Sequence, residues 1–206
     1  RYKDNKLYYY AITNKDNIKR ESPSAICVRE NGEVWIGTVG VGLFRYDPKT
    51  DSFAQYHTDK DNNTLMNQYI FAMCEYGDWI ALAIHDGELK KYNPETNVLQ
   101  TVKAPGVHYT VLRDVACFDQ KKLWVCSHAG LFIIDESHEK VTHLQEDLMH
   151  SYSLSDNIIF CIHKDREEGI WLGTKFGGVN YLPNHQLLFE KYVPSSSESS
   201  LNTRRI

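Results

Sequence analysis

Val34-Trp35-Ile36-Gly37, Asp78-Trp79-Ile80-Ala81, Leu123-Trp124-Val125-Cys126 and Ile170-Trp171-Leu172-Gly173 are four versions of one phrase, and together they hold every tryptophan of the 206-residue chain. The tryptophans stand 44, 45 and 47 residues apart. A glycine follows each phrase (Gly42, Gly87, Gly130, Gly178), and then an apolar residue with another three places on: Leu43 and Tyr46, Leu89 and Tyr92, Leu131 and Ile134, Val179 and Leu182. A period of about 45 residues marks a supersecondary unit that hides its apolar surface only against copies of itself.

Each unit reads as four short strands. Ile26-Cys27-Val28, Ile70-Phe71-Ala72, Val115-Ala116-Cys117 and Ile158-Ile159-Phe160-Cys161 are too short for helices and too apolar for surface strands, so they are expected as buried inner strands, a. The tryptophan phrase is strand b, and Leu43-Phe44-Arg45-Tyr46 with its counterparts is strand c. A turn such as Asp47-Pro48-Lys49-Thr50-Asp51 leads to strand d, Phe53-Ala54-Gln55-Tyr56 in the first unit and Leu188-Phe189-Glu190-Lys191-Tyr192 in the last. No helix is needed. The expected fold is all-β, made of β-propeller blades of four antiparallel strands, with blades at 24–57, 68–103, 111–146 and 157–193.

The ends extend the pattern. Residues 1–23 read as the end of a preceding blade, with strands at Leu7-Tyr8-Tyr9-Tyr10 and Ile18-Lys19-Arg20. Phe189, Tyr192, Leu201 and Ile206 lie 136 residues after Phe53, Tyr56, Leu65 and Ile70, so 201–206 read as the start of a further blade. About four complete blades are therefore expected as an arc of a larger ring. Its bare end faces would be covered by the remaining blades of the parent chain or by a second copy in a homodimer.

Composition narrows the function. Lys and Arg number 23 against 27 Asp and Glu, the net charge is −4 and the cations are scattered, which excludes nucleic acid as the partner of this region. No apolar run approaches the roughly 18 residues of a membrane span. Five cysteines without a CxxC pair and nine histidines without HxH or HExxH spacing give no metal site, and no cofactor is expected. The tryptophans are expected between blades rather than as a binding platform, and Cys117 and Cys161 as buried free thiols in one inner-strand column with Val28 and Ala72.

The stretch Val34-Trp35-Ile36-Gly37-Thr38 through Gly42-Leu43-Phe44-Arg45-Tyr46-Asp47-Pro48-Lys49-Thr50, then Phe53, Tyr56 and Asn63-Thr64-Leu65, resembles the two-component regulator propeller repeat. Ile170-Trp171-Leu172-Gly173-Thr174 through Gly177-Gly178-Val179 with Ser199-Ser200-Leu201 resembles it nearly as well, while Ala81 and Cys126 stand where the repeat has glycine. The resemblance implies a periplasmic sensor region of an inner-membrane hybrid two-component regulator, usually in seven-bladed rings. It further implies that this region binds a glycan-derived oligosaccharide without catalysis and signals to a histidine kinase carried elsewhere in the parent chain.

Geometry assigns the binding face independently. The b–c loops and the d–a segments share one face of the ring, and the a–b and c–d turns share the other. The first face gathers the longer, irregular segments and is the candidate ligand face. Its b–c loops carry His85, Asp86, His128, Lys175 and Phe176, and near the starts of inner strands lie Tyr69, Tyr109, Arg113, Arg204 and Arg205. Aromatic rings stack on sugars while Arg, Lys and His supply hydrogen bonds and charge, a mixture that suits an anionic or neutral sugar; with Arg113, Lys175, Arg204 and Arg205 against few carboxylates besides Asp86 and Asp156, acidic or sulfated saccharides are expected to be preferred. A lyase-like propeller enzyme using His85 and Asp86 as base and acid is the alternative, with a pure interaction scaffold as a third reading. No orienting partner for His85 is legible, so a sensor is expected.

Overall fold

The computed structural model describes residues 2–10, 12, 22–56, 65, 69–85, 87–107, 110–147, 149–150 and 152–184. A short hairpin, β1 (Tyr2–Lys3) with β2 (Lys6–Leu7), precedes four sheets. The first blade is β3 (Pro23–Val28), β4 (Val34–Thr38), β5 (Leu43–Asp47) and β6 (Ser52–Tyr56). The second is β7 (Ile70–Tyr76), β8 (Trp79–Ile84), β9 (Leu89–Asn93) and β10 (Val98–Thr101). The third is β11 (Leu112–Cys117), β12 (Lys122–Ser127), β13 (Gly130–Asp135) and β14 (Lys140–Leu144). The fourth shows β15 (Ile159–Lys164), β16 (Ile170–Thr174) and β17 (Val179–Leu182), and the strand expected at Leu188–Tyr192 lies outside the described residues. Strands follow chain order in every sheet and pair antiparallel. The fold is all-β, four antiparallel blades in a propeller arrangement.

Local chemistry explains the meander. The repeat glycines Gly42, Gly87, Gly130 and Gly178 all have φ between +74° and +108°, a region costly for any residue with a Cβ, and each stands between strands b and c. At the c–d turns Asp47, Asn93 and Asp135 each accept backbone N–H groups two or three residues on, which closes the reversal.

The core lies between blades. Trp35, Leu43 and Cys27 of the first blade pack against Ile70, Met73, Ile80 and Leu82 of the second. Ala72, Ala81, Ala83 and Leu89 of the second meet Val115, Leu123, Val125 and Phe132 of the third. Cys126 and Leu131 of the third meet Ile159, Ile170 and Leu172 of the fourth. Gly37 shows how close the blades come, because a Cβ there would lie 2.7 Å from Ile70 Cγ2.

The structure corrects the register of the second unit. Gly37 pairs with Leu43, Cys126 with Leu131 and Gly173 with Val179, but Leu89 pairs with Ala83, not Ala81. Ala83 therefore occupies the glycine column, Ala81 the tryptophan column, and Trp79 sits two residues below it. A two-residue offset keeps a side chain on the same face, so the tryptophan still reads as part of the repeat. Trp79 is partly exposed, with Lys91 Nζ 5.0 Å from its ring centre.

Burial corrects three further expectations. Trp35 is fully buried between Tyr56 and Tyr92, ring centres 4.9 and 5.7 Å away, and Trp124 is half-buried against the fourth blade, but Trp171 is 42% exposed. Cys161 is exposed too, and its column partners are Ala25, Ala72 and Asp114, whereas Cys117 belongs to a different position. Both changes have one cause: among the described residues nothing covers the face on which Trp171, Cys161, Val179 and Tyr181 stand. At the other end, Leu7 ends β2 and Tyr8–Tyr10 are not in a strand, while 18–20 fall outside the described residues. Tyr10 packs edge-on against Tyr46 and Phe53, and Ile12 joins Ile36 and Phe44. Ile26 is left 65% exposed, in a cleft of about 940 Å³ lined also by Val34 and Tyr8.

Two equivalent tryptophans thus differ in what covers them among the described residues: the second blade and Tyr56 of its own blade over Trp35, and neither counterpart over Trp171. Trp35→Ala is expected to cost about 3–5 kcal/mol in urea titration, and Trp171→Ala less than half of that. Equal losses would contradict the assignment of Trp35 to a blade interface. Thiol labelling of the native chain should proceed fastest at Cys161, because burial raises the Cys27 thiol to about 11 and holds Cys74 and Cys126 well above the ordinary thiol value. Fast labelling of Cys126 would contradict the packing of the third blade on the fourth.

Candidate functional site

Two local devices build one end of the ring. In every inner strand the register slips by one residue, between Pro23 and Ala25, Ile70 and Ala72, Leu112 and Asp114, and Ile159 and Cys161. The extra residues are Ser24, Phe71, Arg113 and Phe160, and such a β-bulge re-aims a side chain out of the regular alternation. Just above, the first residue past each strand b donates its N–H to the carbonyl before the inner strand: Val39 to Ser22, His85 to Tyr69, His128 to Val111 and Lys175 to Ile158, at 2.9–3.1 Å. These bonds fix Val39, His85, His128 and Lys175 as one column directly above the bulges.

The two columns interlock across blades. Arg113 of the third blade has its guanidinium carbon 5.5 Å from the ring centre of Phe71 and 5.1 Å from that of Phe160, which belong to the blades on either side. Its Nε donates to His128 Nε2 at 2.8 Å. His128 lies edge-on to Phe160, and His85 packs on Tyr69 and Phe71 with ring centres 5.6 and 5.2 Å away. Lys175 Nζ sits 4.8 Å over Phe176, which is 78% exposed at the rim. Burial, then the charges of Arg113 and Lys175, push the His128 imidazole below its ordinary 6.5. It is therefore neutral at pH 7, with Nε2 as acceptor.

The nearby carboxylates are engaged with backbone. Asp114 accepts Val115 N–H and, across the blade boundary, Ile162 N–H at 3.0 Å, and burial raises its carboxyl. Asp156 accepts Ile158 and Phe176 N–H groups, which lower it and hold the Phe176 loop. The end of the ring is consequently aromatic and cationic, suited to stacking on a flat ligand and to pairing with oxygen acceptors.

Of the residues selected from sequence, the structure brings Tyr69, His85, Arg113 and His128 into one cluster, with Lys175 above it and Phe176 at its edge. Asp86, Tyr109, Arg204 and Arg205 lie outside the described residues. Phe71 and Phe160 were missed, because they read as part of an apolar inner strand. The signal was the polar residue in the same column: Ser24 and Arg113 break the apolar run expected of an inner strand.

Comparison with known proteins now bears on this geometry. Residues 153–176 match the two component regulator propeller family. The matched segment runs from the end of the d–a connection through β15 and β16 to Lys175 and Phe176. Among solved structures, the chain is similar to the extracellular domain described as that of hybrid two component system BT4673 from B. thetaiotaomicron, with 22% identity over 86% of this chain and 23% of the other, TM-score 0.67. It is similar to that of BT3049 from the same organism, with 23% identity over 86% and 23% of the two chains, TM-score 0.65. PorZ, a surface component of the type-IX secretion system of Porphyromonas gingivalis, aligns at 15% identity over 77% and 24%, TM-score 0.60. The chain spans less than a quarter of each of these three structures, matching a fragment of larger propellers. No curated protein matches it.

The Arg113–His128 bond requires a neutral ring. In a proton NMR titration His128 is expected to titrate below 6.5, and Arg113→Gln to move its midpoint part of the way back up by removing a neighbouring charge. A midpoint at or above 6.5 in the parent chain would contradict the bond.

Proposed function

We propose that the chain forms part of the ligand-sensing propeller of a hybrid two-component regulator, and that it binds a glycan-derived oligosaccharide at the end of the ring where Tyr69, Phe71, His85, Arg113, His128 and Phe160 meet. On this reading the region lies in the periplasm, is not itself catalytic, and joins further blades and a histidine kinase domain of the same parent chain. The observation that carries the reading is the meeting of side chains from three successive blades in one aromatic and cationic cluster. Such a cluster has flat apolar faces for sugar rings and donors at its edge. The family match at 153–176 and the likeness to extracellular domains of two-component systems support it.

A recognition role also fits the chemistry of His128. Its Nε2 is occupied as an acceptor for Arg113, so the ring orients a guanidinium rather than standing ready to abstract a proton. Binding energy shared between blades would bias their packing, which is how occupancy can reach a distant output domain.

Calorimetry with a panel of plant and host oligosaccharides, coupled to chromatography of the recovered sugar, tests the proposal. Saturable binding with unchanged sugar length is expected, weakened at least tenfold by the double change Phe71→Ala and Phe160→Ala. Turnover of the sugar, or binding indifferent to both changes, would contradict it.

A further inference from the structure

Arg113 is unusual among the cations of the chain. Arg29 is buried against Glu33 and Glu75, Arg45 pairs with Glu33, Lys91 with Glu136 and Lys164 with Glu168. Arg113 is half-buried, stands at the bulge of an inner strand, and pairs with no described carboxylate. Its Nε is held by His128, and its Nη1 and Nη2 make no hydrogen bond to a described residue. Asp114, next to it in the strand, and Asp156, before the fourth inner strand, are turned to backbone N–H groups.

The supports of this side chain come from three blades. Phe71 from one neighbour and Phe160 from the other have their ring centres 5.5 and 5.1 Å from the guanidinium carbon, and His128 on its own blade holds Nε. A planar fork held at its flanks and at Nε presents Nη1 and Nη2 as a pair, the arrangement that receives two oxygens of one anionic group. The rings lower local hydration and so strengthen that pairing. Lys175 adds a second positive charge in the column above. Preorganisation of this kind removes most of the ordering cost that a free arginine would meet on binding.

We propose that Arg113 is the oxyanion subsite of the cluster, receiving the carboxylate of a uronic acid or the sulfate ester of a sulfated sugar through Nη1 and Nη2. The assignment rests on the saccharide-sensing reading above and names the ligand class within it: the cluster selects acidic over neutral oligosaccharides. Phe71 and Phe160 act as positioning residues for the guanidinium as well as apolar surface, and His128 acts on the ligand only through Arg113.

The test uses the full-length propeller-bearing chain and four probes: a uronate trisaccharide, its methyl ester, a sulfated neutral trisaccharide of the same length, and free glucuronate. In low salt the uronate or the sulfated probe should bind at least tenfold more tightly than the ester, and the gap should shrink several-fold as salt rises. Whichever of the two anions is preferred assigns the source of the oxyanion. Arg113→Gln should abolish the gap, bringing the acid down to the affinity of the ester. Arg113→Lys, which keeps the charge but neither the planar fork nor the Nε donor to His128, should recover only a minor part of it. Melting curves of both variants establish that they fold. An ester as tight as the acid, or a lysine variant equal to the parent, would overturn the subsite. If the ester and the acid bind the parent and the glutamine variant alike, sensing of saccharides stands and the subsite fails. If glucuronate alone binds in an Arg113-dependent way but no trisaccharide does, the subsite stands and the saccharide-sensing reading fails.

Discussion

Face-to-face packing of neighbouring blades is the contact on which everything else in this molecule depends. Each blade is a meandering sheet with apolar residues on both faces, and among the described residues no α-helix covers either. Its only shelter is the next blade. The approach must be close, which is why the position two residues after the tryptophan column holds Gly37, Ala83, Cys126 and Gly173. At Gly37 a larger residue would push Ile70 of the following inner strand outward. Where a neighbour is present, as over Trp35, the surface is dry. The same kind of surface around Trp171 and Tyr181 is not.

The aromatic and cationic cluster is a consequence of that packing. Regular alternation in an inner strand sends side chains into the interface on one side or the other. The one-residue bulge releases a single side chain from this constraint, and stacking then brings the released side chains of successive blades within reach of one another. Arg113 touching Phe71 and Phe160 is the result. The backbone bonds of His85, His128 and Lys175 to the carbonyls before the inner strands hold the second column in place above the first. A ligand engaging both columns would touch several blades at once and stabilise their stacking by mass action.

Much of this was legible in the sequence because tryptophan is rare and bulky enough to mark a period. The strand order, the turn glycines and the loops that carry the candidate site followed from it. Register within the second unit was not legible: Trp79 lies on the correct face but one pleat too low, and a period of two cannot distinguish those levels. The cluster was read in part. His85, His128 and Lys175 stood out on loops, whereas Phe71 and Phe160 looked like core. A single extra residue in an apolar strand changes neither its composition nor its length enough to show. Trp171 and Cys161 were expected to be buried because their counterparts elsewhere in the repeat favour burial. Their exposure depends on what stands next to the fourth blade, which the local sequence does not state.

Native-state hydrogen exchange, resolved by residue, tests the claim of neighbour-dependent stability most directly. If stacking holds the structure, amides of β8 and β12, in the blades covered on both sides, should exchange only through global unfolding, while those of β16 and β17 open earlier through a smaller, local event. Uniform protection across all four blades, or greatest protection in β16 and β17, would contradict the account.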